Sequence, residues 1–349
     1  MFLVILTLAT TSIMLVAVST FTFKHITSIL SLVRSMGMTI AFSTVLIKTV
    51  MFLAHREDMD YLNNNLTTQY LADLEIPENR PYMLKRIGLY AYYMYSFSAF
   101  VAITMFLYAF GPLIDYLKYG KFTRAVPSII PFDYKSGGLM HWLFYFTEFY
   151  GLSTIWFISS AVDLAYVLYT IQMCGELKLL AKKFKELNLE ENYQAQIKDC
   201  IDRHNLLIHS KKRIENTFGI IAIWMAISSA VTLCALTFQV SEIAKNKLSI
   251  QRIGRLCLSL FPKAAQIFAY GWHGNRIERE SARSLDSMYG SHWPENCSKH
   301  FKNDITIVLV QKPLILVAKG CMFIQLDMFT KVVRASMSYF CLLRSLTEG

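Results

Sequence analysis

The chain's 349 residues are 54% hydrophobic and 14% aromatic but only 17% charged, against about 25% charged in an average soluble domain, and the mean hydropathy is +0.35. Its apolar residues gather into runs close to the roughly 20 that cross a bilayer, which excludes a soluble globular domain. The net charge of +10 comes without a compact basic domain, zinc-ligand spacing or a basic helix with heptads, so it implies no nucleic-acid partner; cytoplasmic loops of membrane proteins normally carry such an excess.

In chain order, the first apolar run, Phe2 to Val18, has no basic residue before it and reads as a retained span rather than a signal peptide. A turn at Lys24 and His25 leads to a second span, about Ser28 to Val50, interrupted by Arg34 and Lys48. Those two side chains either snorkel to the interface or face the bundle interior. Met51 to Arg86 is polar and reads as a loop with some amphipathic helix. The third span, Ile87 to Phe110, is thick with aromatics and is expected to stop at Gly111-Pro112. After the polar stretch Asp115 to Gly138, a fourth span from about Leu139 to Val167 contains Glu148 and Asp163, read as interface or helix-pairing residues rather than a proton relay.

That span continues as an amphipathic helix, Glu176 to Leu187, projecting out of the membrane. Helical spacing at Ile197, Ile201 and Ile208 carries on into the fifth span, Thr217 to Phe238. The sixth, about Ser249 to Tyr270, accommodates Pro262 because neighbouring helices can satisfy a freed carbonyl. A polar segment, Trp272 to Asp304, follows. Ile305 to Leu346 is too long for one span, and Pro313 and Gly320 are expected to divide it into two helices, of which only about Met322 to Leu346 crosses.

The fold class is therefore an all-α integral membrane protein with seven transmembrane helices, which puts the chain ends on opposite sides. Loops 55–86, 174–213 and 272–304 hold 18 Lys plus Arg and the opposite set holds 7, but over 105 residues against 45, so the densities are nearly equal. Lys85-Arg86 and Lys211-Lys212-Arg213, hard against membrane ends, tip the first set to the cytoplasm, with the N terminus inside and the C terminus outside. None of the seven cysteines falls in an outer loop and no CxxC or Cys/His spacing exists, so neither a disulfide framework nor a metal site is expected. No HExxH, GxSxG, Walker loop or Rossmann fingerprint is present, so the chain does not read as an enzyme and calls for no cofactor. Asn65-Leu66-Thr67 and Asn296-Cys297-Ser298 match the glycosylation pattern but fall on the inner side, as chance matches.

The last helix is the most informative. Asp327, Lys331, Arg334, Ser338 and Ser345 fall at steps of 4, 3, 4 and 7, on one stripe. A wet face on a membrane helix reads as a pore or vestibule lining, the alternative being a face buried against other helices. Asp327 and Lys331 also form an i, i+4 pair able to neutralise itself. The aromatics of the third and fourth spans line a cavity for a small ligand or simply pack helices.

Pro131-Phe132-Asp133, the segment Tyr270-Gly271-Trp272 through Ser281 to Tyr289 and Trp293, Gln311-Lys312-Pro313, Leu326-Asp327-Met328-Phe329 and Ser336-Met337-Ser338-Tyr339-Phe340-Cys341-Leu342-Leu343-Arg344 together resemble the insect odorant receptor family. The resemblance spans nearly the whole chain and is most specific in its C-terminal part. It implies a cytosolic N terminus, an extracellular C terminus, and the odour-binding subunit of a ligand-gated non-selective cation channel. Such a channel is a heterotetramer with a shared odorant co-receptor, in the plasma membrane of olfactory sensory neurons.

On that pattern, residues 1–173 hold transmembrane helices 1–4 with an outer-half odour pocket, and 174–213 the cytosolic extension of helix 4 and entry to helix 5. Residues 214–271 hold helices 5–6, 272–321 a cytosolic anchor region, and 322–349 the pore-lining helix 7. The resemblance implies an outer gate at Leu342 and Leu346, with Ser338 and Ser345 also facing the conduit. Its pocket, for a small volatile organic ligand, falls at Phe97, Val101 and Thr104 of the third helix, Phe146, Phe149 and Tyr150 of the fourth, and Leu256 and Leu260 of the sixth.

Two features depart from the family pattern. Almost no cytosolic segment precedes the first span, as in a truncated chain, and Lys331 and Arg334 on the lining face oppose cation flow unless they sit in a wide vestibule or touch another subunit. A gustatory-type receptor channel would carry Thr-Tyr, five hydrophobics and Gln-Phe, which Ser338-Tyr339-Phe340 followed by Cys341 to Arg344 does not fit. A secondary transporter would show internal repeats, and none is seen.

Overall fold

A backbone in hydrocarbon must satisfy its own N–H and C=O groups, and a helix does so within one segment. The computed structural model describes residues 2–25, 29–84, 87–120, 124–128, 138–186, 193–245, 250–290, 303, 306–307 and 310–348, and nearly all of them are helical. In chain order these are α1 (Phe2–Lys24), α2 (Ile29–Ala54), α3 (Arg56–Tyr61), a π-helical turn (Leu62–Thr67), α4 (Thr68–Glu75) and α5 (Arg80–Met83). Then come α6 (Ile87–Tyr119), α7 (Leu139–Lys185), α8 (Tyr193–Lys245), α9 (Ile250–Tyr289), a two-stranded hairpin β1 (Val317–Ala318) and β2 (Met322–Phe323), and α10 (Leu326–Glu348).

Among the described residues five helices are long and apolar enough to cross a membrane, at Leu3–Lys24, Ser35–Ala54, Tyr90–Lys118, Leu139–Lys185 and Gln194–Ser241. The two further crossings expected from the sequence would fall in α9 and α10, where apolar residues are diluted by Arg252, Arg255, Lys263 and Gln266 before Tyr270 and by the Asp327, Lys331, Arg334 stripe. At 47 and 53 residues, α7 and α8 run about 70 and 80 Å, over twice the roughly 30 Å of hydrocarbon. Each therefore crosses and extends well beyond, as one continuous helix. The projecting ends, with α3 to α5 packed on them, form a second layer outside the lipid.

That layer is fastened by charge. Arg203 of α8 contacts Asp73 of α4 through two guanidinium nitrogens, and reaches Glu176 of α7 at 3.3 Å and Asp199 at 3.2 Å. Asp58 of α3 accepts from Arg213 at 2.6 Å and His55 at 2.9 Å. Burial pushes the Asp58 carboxyl up, but the bonds from Arg213 and His55 more than offset this and hold it below the usual carboxylate range. In the π-helical turn, Leu62 and Leu66 are buried while Asn63 accepts from the Tyr169 hydroxyl at 2.8 Å. The main apolar cluster runs through both layers, with Tyr166, Phe184, Phe218 and Tyr270 among its largest members. A second, around Val18, Phe42 and Leu152, joins α1 and α2 to α7.

One sequence expectation needs correction and another is refined. α6 does not stop at Gly111-Pro112 but passes through both to Tyr119. Inside a bundle, neighbouring side chains can serve the backbone around a proline, and here the Tyr145 hydroxyl donates to the Ala109 carbonyl at 3.0 Å. Pro313 and Gly320 do lie between helical stretches, with helical residues at 303 and 306–307 before them and α10 after, but the division is a built segment rather than a sharp break: residues 312–316 are not helical and lead into the hairpin. The reason is that its backbone donors find side-chain acceptors instead of a helix. Leu314 N–H goes to Ser281 Oγ at 2.9 Å and Val317 N–H to Glu215 Oε1 at 2.6 Å, so α9 and α8 grip the strand from both sides. The turn holds Lys319 at φ 46° and Gly320 at φ 73°, the positive pair that a type I′ hairpin turn needs.

Past the hairpin the backbone lies directly on α9. A Cβ on Gly271 would stand 2.6 Å from the Gln325 carbonyl oxygen, and one on Gly274 only 1.8 Å from that of Ile324. These glycines, one helical turn apart, form the seat from which α10 starts. Gly274→Ala should therefore lower the thermal stability of the detergent-solubilised protein by about 1–3 kcal/mol, the range for overpacking a filled site. Gly37→Ala, where nothing lies within 4 Å, should be neutral or slightly stabilising; equal melting of the two variants would contradict the seat.

Candidate ligand and pore sites

α2, α7 and α9 converge on a buried polar cluster. Lys48 is completely buried, with Nζ 2.7 Å from Asp163 Oδ1 and 3.4 Å from the Ser159 carbonyl. The same carboxylate accepts from the Tyr270 hydroxyl at 2.8 Å and, through Oδ2, from Gln266 Nε2 at 2.5 Å. Gln266 and Tyr270 are four residues apart, so one face of α9 brings both to α7. Tyr166 stacks on Tyr270 with ring centroids 4.3 Å apart, and its hydroxyl donates to the Tyr270 carbonyl at 3.0 Å. Three helices thus share one charged centre whose acceptors are filled. Asp163 is the helix-pairing residue its sequence context suggests, and of the two alternatives for Lys48 the structure shows the interior one. Arg34's side chain lies outside the described residues. Glu148 is also buried, accepting from Ser128 Oγ and Ala125 N–H at 3.3 Å each.

Against this cluster opens a cleft between α6, α7 and α9. Its walls are Tyr93, Met94 and Phe97 of α6, Val167 of α7 and Ala265 and Ala269 of α9, with Asp163, Gln266 and Tyr270 as its polar end. The free space is about 10 Å³, room for about one water. It is an apolar slot with a few convergent polar groups, the composition of a small-molecule site, held shut.

Of the eight expected pocket residues, only Phe97 lines this cleft. Thr104 is buried but spends its hydroxyl on the Phe100 carbonyl at 2.9 Å, and Val101 is half-buried. Phe149 packs edge-on to Phe110 at 5.9 Å, and Tyr150 shares a 3.2 Å hydrogen bond with Thr7. Phe146 is 62% exposed on the outer surface of the bundle. Leu260 rests on the main apolar cluster, and Leu256's side chain lies outside the described residues. Sequence reasoning did not place Gln266, Tyr270, Ala265 and Ala269 at the site. Gln266, the lone amide in an apolar run four residues from a tyrosine, was the available signal.

On α10, Met328, Val332 and Ser336 are buried against the bundle, and Asp327, Lys331, Arg334, Ser338 and Ser345 form the opposite, exposed stripe. Asp327 and Lys331 make the i, i+4 pair, at 2.6 Å. The Ser338 hydroxyl donates to the Arg334 carbonyl at 3.1 Å and Ser345 to that of Leu342 at 2.8 Å. Leu342 is 55% exposed; Leu346's side chain and Pro131-Phe132-Asp133 lie outside the described residues.

A family model described as 7tm odorant receptor matches residues 28–337. The chain is 24% identical over 326 residues to odorant receptor 49a of Drosophila melanogaster, covering 86% of this chain and 78% of that protein. It is 24% identical over 239 residues to odorant receptor 13a of the same fly, covering 62% and 56%. With the odorant receptor coreceptor of Anopheles gambiae it shares 29% over 153 residues, covering 43% and 31%, so the chain spans about a third to a half of the length of these last two relatives. Its fold matches the insect olfactory receptor OR5 from Machilis hrabei with a TM-score of 0.78 at 16% identity, covering 97% of this chain and 87% of that one. The structure of that receptor in complex with eugenol matches with a TM-score of 0.80 at 16% identity, over 98% and 88%. At that identity the likeness is one of fold.

Removing either neutral donor from Asp163 leaves a buried charge under-solvated, at about 1–3 kcal/mol per lost bond. Gln266→Leu and Tyr270→Phe should each lower the melting temperature accordingly in thermal unfolding of the solubilised protein. Wild-type melting in both would remove the cluster from the account.

Proposed function

From the premise that this chain belongs to the 7tm odorant receptor family, we propose that it is the odour-binding subunit of a ligand-gated, non-selective cation channel formed with a co-receptor subunit. Membership places it among membrane receptors rather than enzymes. In this reading the N terminus is cytosolic and the C terminus extracellular, and the assembly sits in the plasma membrane of olfactory neurons. Residues 174–213 and 272–321 anchor the subunits, and 322–349 line the pore.

The observation that carries the reading is the condition of α10. A stripe of Asp327, Lys331, Arg334, Ser338 and Ser345 is exposed on a single chain, yet polar groups facing lipid are costly. Water or a neighbouring subunit must cover that stripe, as around a shared conduit. Leu342 and Leu346 then form its narrow outer gate. Arg334 and Lys331 lie nearer the seat of the helix, where Asp327 offsets one of them and a wide vestibule tolerates the rest.

The ligand is a small volatile organic molecule, and the family relative solved with eugenol is consistent with that class. The expected pocket at Phe97, Val101, Thr104, Phe149, Tyr150, Leu256 and Leu260 extends upward from the cleft at Phe97. Because the cleft holds only about 10 Å³, a ligand enters by parting α6 from α9, and it opens the channel only by preferring the parted state. Ala269 and Tyr270 on the cleft wall precede Gly271 and Gly274, on which the start of α10 rests. A shift of α9 is therefore delivered to the pore helix through backbone contact.

Co-expression with a co-receptor in cells screened with a volatile panel should give odour-evoked cation current, and this chain alone little or none. Phe97→Ala should shift the dose–response by about tenfold or more, the loss of a packed aromatic contact. Lysines at both Leu342 and Leu346 should abolish the current; equal current from that double variant would refute the gate, and silence to every volatile would refute the receptor reading.

A further inference from the structure

A second cavity lies away from both sites just described. It is a groove of about 1150 Å³ between the projecting end of α7, the continuation of α9 and the short helix α5. On α9, Trp272, Arg276, Arg279 and Arg283 follow at steps of 4, 3 and 4, and on α7 Lys178, Lys182 and Lys185 follow at steps of 4 and 3. Each series occupies one helix face, and the two faces look across the same groove. Three carboxylates, Glu186, Glu280 and Asp286, share it with these six cations. Glu280 pairs with Arg283 at 3.3 Å and Glu186 with Lys182 at 4.0 Å, leaving an excess of positive charge. Two opposed cationic stripes repel unless an anion lies between them.

The groove sits at the edge of the lipid. Tyr90, on its wall, opens the apolar window of α6, and Trp272 follows Tyr270, where the sequence reading ends the sixth span. Tyrosine and tryptophan in such positions mark the bilayer–water boundary. Arg276 lies over the Tyr90 ring at 4.6 Å and Lys182 over the Tyr82 ring at 5.1 Å, so both charged heads are held at the groove wall rather than extended into solvent. Arg279 and Lys185 are exposed, with no ion pair among the described residues. We propose that this groove binds the phosphorylated headgroup of an anionic membrane lipid, its acyl chains entering the bilayer beside Tyr90 and its phosphates bridging the arginines of α9 and the lysines of α7. An acidic segment of a protein partner would meet the same charges, but the boundary aromatics and the position beside the start of α6 favour a lipid. The groove shares no lining residue with the odour pocket or the pore, and it lies largely in the segments read under the proposed function as the subunit anchor, so a bound lipid would sit at that anchor.

The full-length protein is reconstituted in phosphatidylcholine nanodiscs containing a minor fraction of phosphatidylinositol bisphosphate, and lipid retention is read by native mass spectrometry. Wild type should retain the anionic lipid over phosphatidylcholine, less so as salt is raised. Arg279→Gln with Lys185→Gln should retain it about thirtyfold less well, from two lost cations near the surface, while melting as wild type in phosphatidylcholine alone. The charge-conserving Arg279→Lys with Lys185→Arg should retain it as wild type does. Free inositol trisphosphate should compete poorly, because it lacks the bilayer anchor. Undiminished retention by the neutralised variant, equal competition by the free headgroup, or no preference over phosphatidylcholine would each overturn the proposal.

Discussion

Lys48 and Asp163 meet at 2.7 Å inside a helix bundle that lipid surrounds, where a lone charge of either sign would be driven to neutralise, move or find water. Their pairing fixes α2 against α7, and the Gln266 and Tyr270 bonds to the same carboxylate add α9. The stacked Tyr166–Tyr270 pair then fills the space between the two long helices. Because these acceptors are already occupied, the α7–α9 contact behaves as a stiff unit. α6 faces alanines of α9 along the cleft through Tyr93 and Phe97, and beyond it is tied to α7 by the bonds from Trp156 to the Ser98 carbonyl and from Tyr145 to the Ala109 carbonyl. On the proposed function, a ligand would enter where α6 faces α9, while the α7–α9 contact stays closed around Asp163.

The second layer follows from length. Helices of 47 and 53 residues cannot be contained in hydrocarbon, and their projecting ends carry the charges that hydrocarbon excludes. Arg203 draws α4, α7 and α8 together, while Ser281 and Glu215 seize the backbone of the segment before α10. The start of α10 is thus clamped between two helices and seated on Gly271 and Gly274. Its far half is different: from Met337 to Leu342 the chain itself covers little of it. One end fixed and one end unpartnered is the arrangement of a helix that completes its packing in an assembly.

Much of this was legible in the sequence because hydrocarbon imposes long, uninterrupted apolar runs. The spans, the continuation of the fourth and fifth beyond the membrane, the Asp327–Lys331 pair and the polar stripe of α10 all follow from spacing alone. What could not be read depends on neighbours distant in sequence. Pro112 is tolerated because the neighbouring helix α7 packs beside it, and the hairpin at Val317 exists because Glu215 and Ser281, about a hundred and about thirty residues earlier, accept its donors. The polar end of the cleft was hidden for the same reason, since Gln266 becomes a site residue only once Asp163 is beside it. Counting depth along each span found Phe97 but cannot tell a face toward the cleft from one on the outer surface of the bundle, where Phe146 lies.

The central claim is that the Lys48–Asp163 pair acts as one buried unit. A double-mutant cycle on unfolding of the detergent-solubilised protein, with Lys48→Met, Asp163→Leu and both together, tests it most directly. Each single change strands the other charge and should destabilise by about 3–5 kcal/mol, while the double variant strands neither charge of the pair, only the neutral donors Gln266 and Tyr270, and should lose less than the sum. Additive losses would show that the two residues stand independently, and the account of one buried pair fixing α2 against α7 would fall with them.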